Sequence, residues 1–195
     1  MRAALATIAV AAIGAAALWW GTDQGRALTS EAARRNDIAA APRLLPDVTF
    51  HDQTGAAFAL SDYRGAPLVL EFVYATCPDI CITLGTAFER LDATLPEDAR
   101  LVSISFDPRD DTERLGWFAD RHGAQTPRWR VAGIEDDADR AALLARADVV
   151  VIPDAMGGFV HNAGLYLVDP EGRLSAIFEP EDTEGLRVAL AGDAR

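Results

Sequence analysis

From Leu45 onward, short apolar runs alternate with stretches in which apolar residues recur at helical spacing. The nearly continuous apolar run Leu68–Tyr74 predicts a central strand that is buried on both faces. Strands separated by helices need crossover connections, so the pattern predicts an α/β fold. The other predicted strands are 48–51, 58–60, 101–106, 130–132, 149–152, 165–169 and 174–178, and the predicted helices are 78–91, 110–122, 135–147 and 182–190.

The order of these elements is that of a thioredoxin-like, three-layer fold. An N-terminal β-hairpin comes first, strands and helices then alternate with one extra strand and helix inserted, and a second hairpin and a last helix close the chain. A chain of 195 residues has room for one such domain and a tail. We therefore expect the domain to occupy residues 45–195.

The amino-terminal segment predicts membrane targeting. Residues Ala3–Trp20 contain no charged side chain over 18 positions, which reaches the lower limit for a spanning helix, and a positive charge precedes them. Nine of these residues are alanine, and Ala15 and Ala17 would suit a signal peptidase, so a cleaved signal peptide stays open beside a retained anchor. Residues 1–20 are thus a signal anchor or signal peptide, and residues 21–44 a polar linker. We expect a single-pass inner-membrane protein with its domain in the periplasm, or a periplasmic protein if the signal is cleaved.

Charge divides the chain at Arg43. The whole chain has a net charge of −12, with 18 arginines and no lysine. Up to Arg43 there are five arginines and three acids, whereas the remainder carries 13 arginines and 27 acids, a net charge of −14. A domain this acidic is repelled by phosphate backbones, which argues against nucleic-acid binding. We expect it instead to dock on a basic face of a partner protein.

Cys77 and Cys81 are the only cysteines, and they follow the predicted central strand. Two cysteines exclude a disulfide framework and a four-cysteine zinc site. Four-residue spacing on a helix puts both sulfur atoms on one face, one turn apart. Pro78 suits the first helical position, so we expect Cys77 to cap the helix, where the macrodipole favours a thiolate. Such a pair can bind a soft metal or exchange with a partner's disulfide, and the residues alone leave both open.

A third metal ligand would have to come from a distant histidine. Two thiolates suit Cu(I), and an added imidazole also accommodates Cu(II). His161 lies in the glycine-rich segment Gly157–Asn162, and we interpret this segment as a loop that approaches the active end of the sheet. We expect His51 and His122 to lie at the surface or near a helix C-terminus, where the dipole favours a positive charge.

Acidic residues cluster between the second parallel strand and the helix that follows it. This cluster predicts turn and capping chemistry, with a capping-box pattern at the start of the helix, more than it predicts a docking surface. The glycine and ligand spacing of a calcium-binding loop is absent from it. Its members are Asp107, Asp110, Asp111 and Glu113.

Several segments resemble the SCO/SenC family of copper-binding, thioredoxin-fold proteins that assemble cytochrome c oxidase. They are FVYATCPDIC at 72–81, SFDPRDDT at 105–112, WRVAG at 129–133, and His161 ahead of LYLVDPEG at 165–172. The resemblance extends from Leu45 to the C-terminus. It implies copper, as Cu(I) or Cu(II), held by Cys77, Cys81 and His161. By the same resemblance, Asp107 would lie beside these ligands or contact a partner.

The resemblance implies a copper chaperone, not an enzyme, that delivers one copper ion to the dinuclear copper site of cytochrome c oxidase. Its expected partners are the copper-site subunit of the oxidase, other copper carriers and, through the amino-terminal helix, the membrane. The alternative is a thiol:disulfide oxidoreductase that reduces metal-site cysteines of a partner. That activity would need Cys77 and Cys81 but not His161. A pure interaction module that needs neither cysteine is a third possibility.

Overall fold

A computed structural model describes residues 2–25, 27–77 and 80–193 of the chain, which divides into two compact units, Met1–Ala41 and Pro42–Arg195. The first unit contains α1 (Arg2–Gly21) and α2 (Ser30–Ala40). Helix α1 is long and apolar enough to cross a membrane, and none of its residues is buried. The uncharged amino-terminal segment therefore forms one continuous helix.

The segment that we interpreted as a polar linker contains regular structure. Helix α2 lies within it, and the Thr29 hydroxyl caps this helix by accepting a hydrogen bond from the backbone N–H of Ala32 at 3.1 Å. The short strand β1 (Arg43–Leu44) follows and belongs to the second unit. The alanine and arginine content of the segment accounts for the helix, because both residues have high helix propensity.

The second unit is built on a mixed sheet of eight strands. Neighbouring strands follow the order β1, β10 (Arg173–Phe178), β9 (Leu165–Val168), β4 (Leu68–Val73), β5 (Arg100–Ser105), β6 (Trp129–Gly133), β2 (Thr49–Asp52) and β3 (Ala57–Ala59). Strands β4, β5 and β6 are parallel, and every other neighbouring pair is antiparallel. The helices of this unit are α3 (Ile80–Thr94), α4 (Thr112–His122), α5 (Asp137–Arg146) and α6 (Thr183–Asp193), and a 3₁₀ turn spans Leu60–Tyr63.

Strand β4 has the central place that its apolar run predicts. All six of its residues are buried, and it pairs with β5 on one side and β9 on the other. Because β4, β5 and β6 are parallel, their carboxyl ends lie at one edge of the sheet. The loops that follow these strands, which carry Cys77 and the acidic cluster, therefore meet at that edge.

The segment 157–162 corrects one prediction, because it is not simply a loop. Residues Phe159–His161 form β8, which pairs antiparallel with β7 (Val151–Pro153) in a separate two-stranded sheet. The glycines before β8 belong to the turn between the strands, and Gly157 has a φ of 86°, which favours glycine. Because of these turn residues, the sequence pattern predicted a loop and did not indicate the three-residue strand. We call residues 151–161 the β7–β8 hairpin.

His122 lies at the C-terminus of α4, one of the two places expected for it, and it is buried rather than exposed. Its Nδ1 atom lies 2.6 Å from Oε1 of Glu89 on α3, and its ring contacts Phe118 with 4.6 Å between centroids. Gly85 on α3 makes room for this ring. His51 lies on β2 and is partly exposed, as expected.

Aspartate side chains cap α4 and α5. Asp111 accepts a hydrogen bond from the backbone N–H of Arg114 at 3.0 Å, and Asp136 accepts two from the first turn of α5. Arg114 rather than a glutamate occupies the third helical position, so α4 has an N-cap without the expected capping box. The capping role expected of the acidic cluster is confirmed for Asp111.

Candidate metal centre

The cysteine pair lies where the chain passes from β4 into α3. Both residues are free thiols, and their exposed fractions are 8% for Cys77 and 1% for Cys81. The Sγ atom of Cys77 accepts a hydrogen bond from the backbone N–H of Cys81 at 3.3 Å, so its side chain lies against the first described turn of α3. Pro78, where we expected the helix to begin, and Asp79 lie outside the described residues, and α3 is described from Ile80.

The β7–β8 hairpin brings His161 to this pair. The Nε2 atom of His161 lies 3.9 Å from Sγ of Cys81, although 80 positions separate the two residues in the chain. The imidazole packs against the rings of Phe106 and Tyr74, at 5.0 and 6.4 Å between centroids. Burial lowers the pKa of His161, so the imidazole is neutral near pH 7 and keeps a lone pair for a metal.

Cys81 carries its proton in the metal-free protein. Its hydrogen bond with the Cys77 side chain and its burial both raise the pKa of its thiol. A metal ion binds the thiolate, so binding at this residue has to release a proton. Cys81 therefore stays a neutral thiol until a metal or an oxidant arrives.

The donor set suits a soft metal ion. Sulfur and imidazole nitrogen select copper or zinc over magnesium and calcium. Two ligands that share one ion at about 2.0–2.3 Å are separated from each other by roughly 3.5–4 Å. The 3.9 Å between Cys81 and His161 fits that separation. Within the part of the chain that the structure describes, no three His, Cys, Asp or Glu side chains already surround a common metal position.

Two side chains to which the sequence analysis gave no role in positioning the metal ligands, Tyr74 and Asp110, connect the loops of this site. The Tyr74 hydroxyl exchanges hydrogen bonds with the backbone N–H and C=O of Phe159, both at 3.4 Å. The Asp110 carboxylate accepts hydrogen bonds from the backbone N–H of Ala75 at 2.7 Å and from the Ser105 hydroxyl at 2.6 Å. Both Tyr74 and Asp110 follow the carboxyl end of a parallel strand. Their place in the sequence just after a predicted strand could have identified them as candidates for the site.

Asp107 lies in the same region, but its carboxylate is buried and paired. The Arg109 backbone and guanidinium donate hydrogen bonds to it at 2.7–3.0 Å. Burial alone would raise the pKa of Asp107, but these hydrogen bonds hold it below its ordinary value. In this arrangement Asp107 orients Arg109 and does not present a free carboxylate at the surface.

Comparisons with known proteins agree with this architecture. The family model described as SCO1/SenC matches residues 36–190. A Stutzerimonas stutzeri protein whose name describes it as copper-binding is 28% identical over 159 residues, which is 76% of each chain. The SCO1/SenC family lipoprotein from Bacillus anthracis superimposes with a TM-score of 0.73 and 22% identity, over 80% of this chain and 98% of that one. Bradyrhizobium japonicum ScoI with copper bound gives a TM-score of 0.65 and 23% identity, over 76% and 98%.

The structural matches cover nearly the whole of the Bacillus and Bradyrhizobium chains. They confirm the predicted thioredoxin-like, three-layer α/β fold, with the apolar helix α1 preceding it. The matched family segment includes both cysteines and His161 and extends over most of the chain. On this evidence the chain belongs to the SCO1/SenC family.

Proposed function

We propose that this protein binds one copper ion through Cys77, Cys81 and His161. The observation that carries the proposal is the 3.9 Å approach of His161 to Cys81, beside a second free thiol at the start of α3. Two sulfur donors and a neutral imidazole form a set that accepts both Cu(I) and Cu(II). The copper-binding name of the Stutzerimonas protein and the copper bound to Bradyrhizobium ScoI support the same ion.

The copper is cargo in this proposal, and its destination is the dinuclear copper site of cytochrome c oxidase. BsSco, which gives a TM-score of 0.67, is described as a member of the Sco family of cytochrome c oxidase assembly proteins. Helix α1 would keep the protein in the inner membrane with its domain in the periplasm, near a membrane-bound oxidase. The oxidase subunit that holds the copper site would be the partner, and the acidic domain would dock on a basic face of it.

Copper binding by the full chain in detergent tests the ligand assignment. We expect the wild type to bind one equivalent of either ion, and Cys77→Ser and Cys81→Ser to lose both. His161→Ala should lose Cu(II) but keep Cu(I), because two thiolates are sufficient for Cu(I). His51→Ala is the matched control and should bind both ions as the wild type does. Equal Cu(II) binding by the wild type and His161→Ala would contradict the assignment.

The adjacent free thiols also support a second candidate, a thiol:disulfide oxidoreductase. In that reaction the two thiols form a disulfide and pass two electrons and two protons to a partner's disulfide, which becomes two thiols. Cys77 is the more exposed of the two residues and would attack first. A Cys81→Ser variant that traps a mixed disulfide with the oxidase subunit, in a protein that binds no copper, would favour this candidate.

A further inference from the structure

The β7–β8 hairpin carries His161 but shares no strand pairing with the eight-stranded sheet within the described part of the chain. Ladder hydrogen bonds therefore do not determine where His161 lies relative to the cysteines on the main sheet. Side-chain contacts to the hairpin have to supply that positioning. The rings of Tyr74 and Phe106 pack against Phe159 and His161, and a second contact, made by a charged side chain, comes from the loop after β5.

Arg109 makes this second contact. Its Nη2 atom donates a hydrogen bond to the backbone oxygen of Gly157, in the hairpin turn, at 2.9 Å. The same guanidinium donates to both carboxylate oxygens of Asp107 and lies 5.4 Å from the ring centroid of Phe159 on β8. One side chain thus contacts both the turn of the hairpin and the strand that bears His161.

The other end of this contact is firmly held. Asp107 is buried, and its backbone N–H donates to the Ser105 hydroxyl at the end of β5. The planar guanidinium binds the Asp107 carboxylate with two nitrogens, which fixes the direction in which Arg109 points. The turn that receives it is also ordered, because the Asp154 carboxylate accepts the backbone N–H of Gly158 at 2.9 Å.

We propose that Arg109 is a positioning residue that holds the β7–β8 hairpin against the end of β5 and so keeps His161 within reach of Cys81. The inference rests on the proposed copper function. Cu(I) can be held by the two cysteines alone, whereas Cu(II) needs the imidazole. Arg109 therefore controls the binding of Cu(II) and has little influence on Cu(I).

Two substitutions of Arg109 test this role in the full chain in detergent. Arg109→Met removes every hydrogen bond of the guanidinium, and its Cu(II) affinity should fall about 10- to 100-fold, the usual effect of losing a group that orients a metal ligand. Its Cu(II) electron paramagnetic resonance spectrum should change, and its Cu(I) affinity should change less than about threefold. The Cu(II) affinity of Arg109→Lys should lie between those of the wild type and Arg109→Met, because one ammonium group cannot donate the paired hydrogen bonds of a guanidinium.

A matched control and a second variant separate positioning from folding. Arg187→Met removes an ion pair with Glu184 within α6 and should leave both copper affinities unchanged. Arg109→Met leaves the Asp107 carboxylate buried without its partner, which can destabilise the whole domain. The double variant Asp107→Asn with Arg109→Met removes that buried charge and should show the same selective loss of Cu(II).

Hydrogen exchange of the metal-free protein gives a readout that does not depend on copper. The amides of residues 151–161 should exchange faster in Arg109→Met, while those of β4 and β5 keep their protection. Unchanged Cu(II) affinity, spectrum and hairpin exchange in both Arg109 variants would overturn the proposal. A wild type that binds neither copper ion overturns the proposed function instead, and the exchange measurement then still decides whether Arg109 holds the hairpin.

Discussion

Replacing Glu71 with glutamine tests how β4 accommodates a carboxyl group inside the core. Glu71 has an exposed fraction of 0% and lies opposite Ser103 of β5 in the sheet register. The Ser103 hydroxyl donates a hydrogen bond to Oε1 of Glu71 and accepts one from the indole of Trp129 at 2.9 Å. The Oε2 atom of Glu71 has no partner among the described residues. An ionised carboxylate is poorly solvated in this position.

Burial therefore raises the pKa of Glu71 from 4.5 to about 8, so the folded protein holds a proton there that the unfolded chain releases. Between these two pKa values the folded state binds more protons than the unfolded state, and the free energy of unfolding falls as the pH rises. The slope is about 1.4 kcal/mol per pH unit. From pH 5 to pH 8 the loss is about 3.5 kcal/mol, after allowing for partial titration at both ends.

Urea unfolding of the wild type and Glu71→Gln at several pH values between 5 and 8 measures this loss. Glutamine has nearly the same shape, can accept the Ser103 hydrogen bond and cannot ionise, so the contributions of all other titrating groups cancel in the difference. We expect the stability of the variant relative to the wild type to increase by about 3.5 kcal/mol over this range. A difference that is constant with pH would refute the reasoning, because Glu71 would then titrate alike in both states.

Two further predictions concern packing and docking. Gly85→Ala should lower the free energy of unfolding by about 1–3 kcal/mol in urea, since the new Cβ would lie 2.5 Å from the buried His122 ring. Gly116→Ala on α4 is the matched control, because the nearest atom to its new Cβ would be 3.9 Å away. This variant should stabilise the protein by about 0.5–1 kcal/mol. Equal changes in stability for the two variants would contradict this account. Binding of the acidic domain to the oxidase's copper-site domain should weaken several-fold as salt rises from about 50 to about 500 mM, and affinity that does not vary with salt would exclude the proposed charge contribution.

Local sequence signals predicted much of the fold. The apolar run of β4 identified the central strand, and the position of Cys77 after that strand identified a side chain that would meet the first turn of a helix. Asp111 was likewise recognisable as part of a helix start. In each case the determining interaction joins residues only a few positions apart, so the pattern and the structure agree.

Local sequence patterns did not predict features that depend on contacts between residues far apart in the chain. His122 ends a helix, as the sequence indicated, but its burial depends on Glu89 and Gly85 on another helix. The three-residue strand that ends at His161 is too short to show a period, and its pairing with β7 crosses the glycine turn. Glu71 lies within the apolar run of β4, and only the pairing of β4 with β5 shows that Ser103 lies opposite it.

The sequence by itself determined that the cysteine pair follows a core strand, that an acidic α/β domain follows an apolar helix, and that the acidic cluster lies at the start of α4, because apolar periodicity, charge and capping act over short chain distances. The sequence singled out His161, but only the tertiary structure decided that its imidazole lies beside Cys81 and that Arg109 connects its hairpin to the loop after β5. Contacts across 80 and 48 positions depend on how the sheet and the hairpin pack together, and no local pattern records that packing.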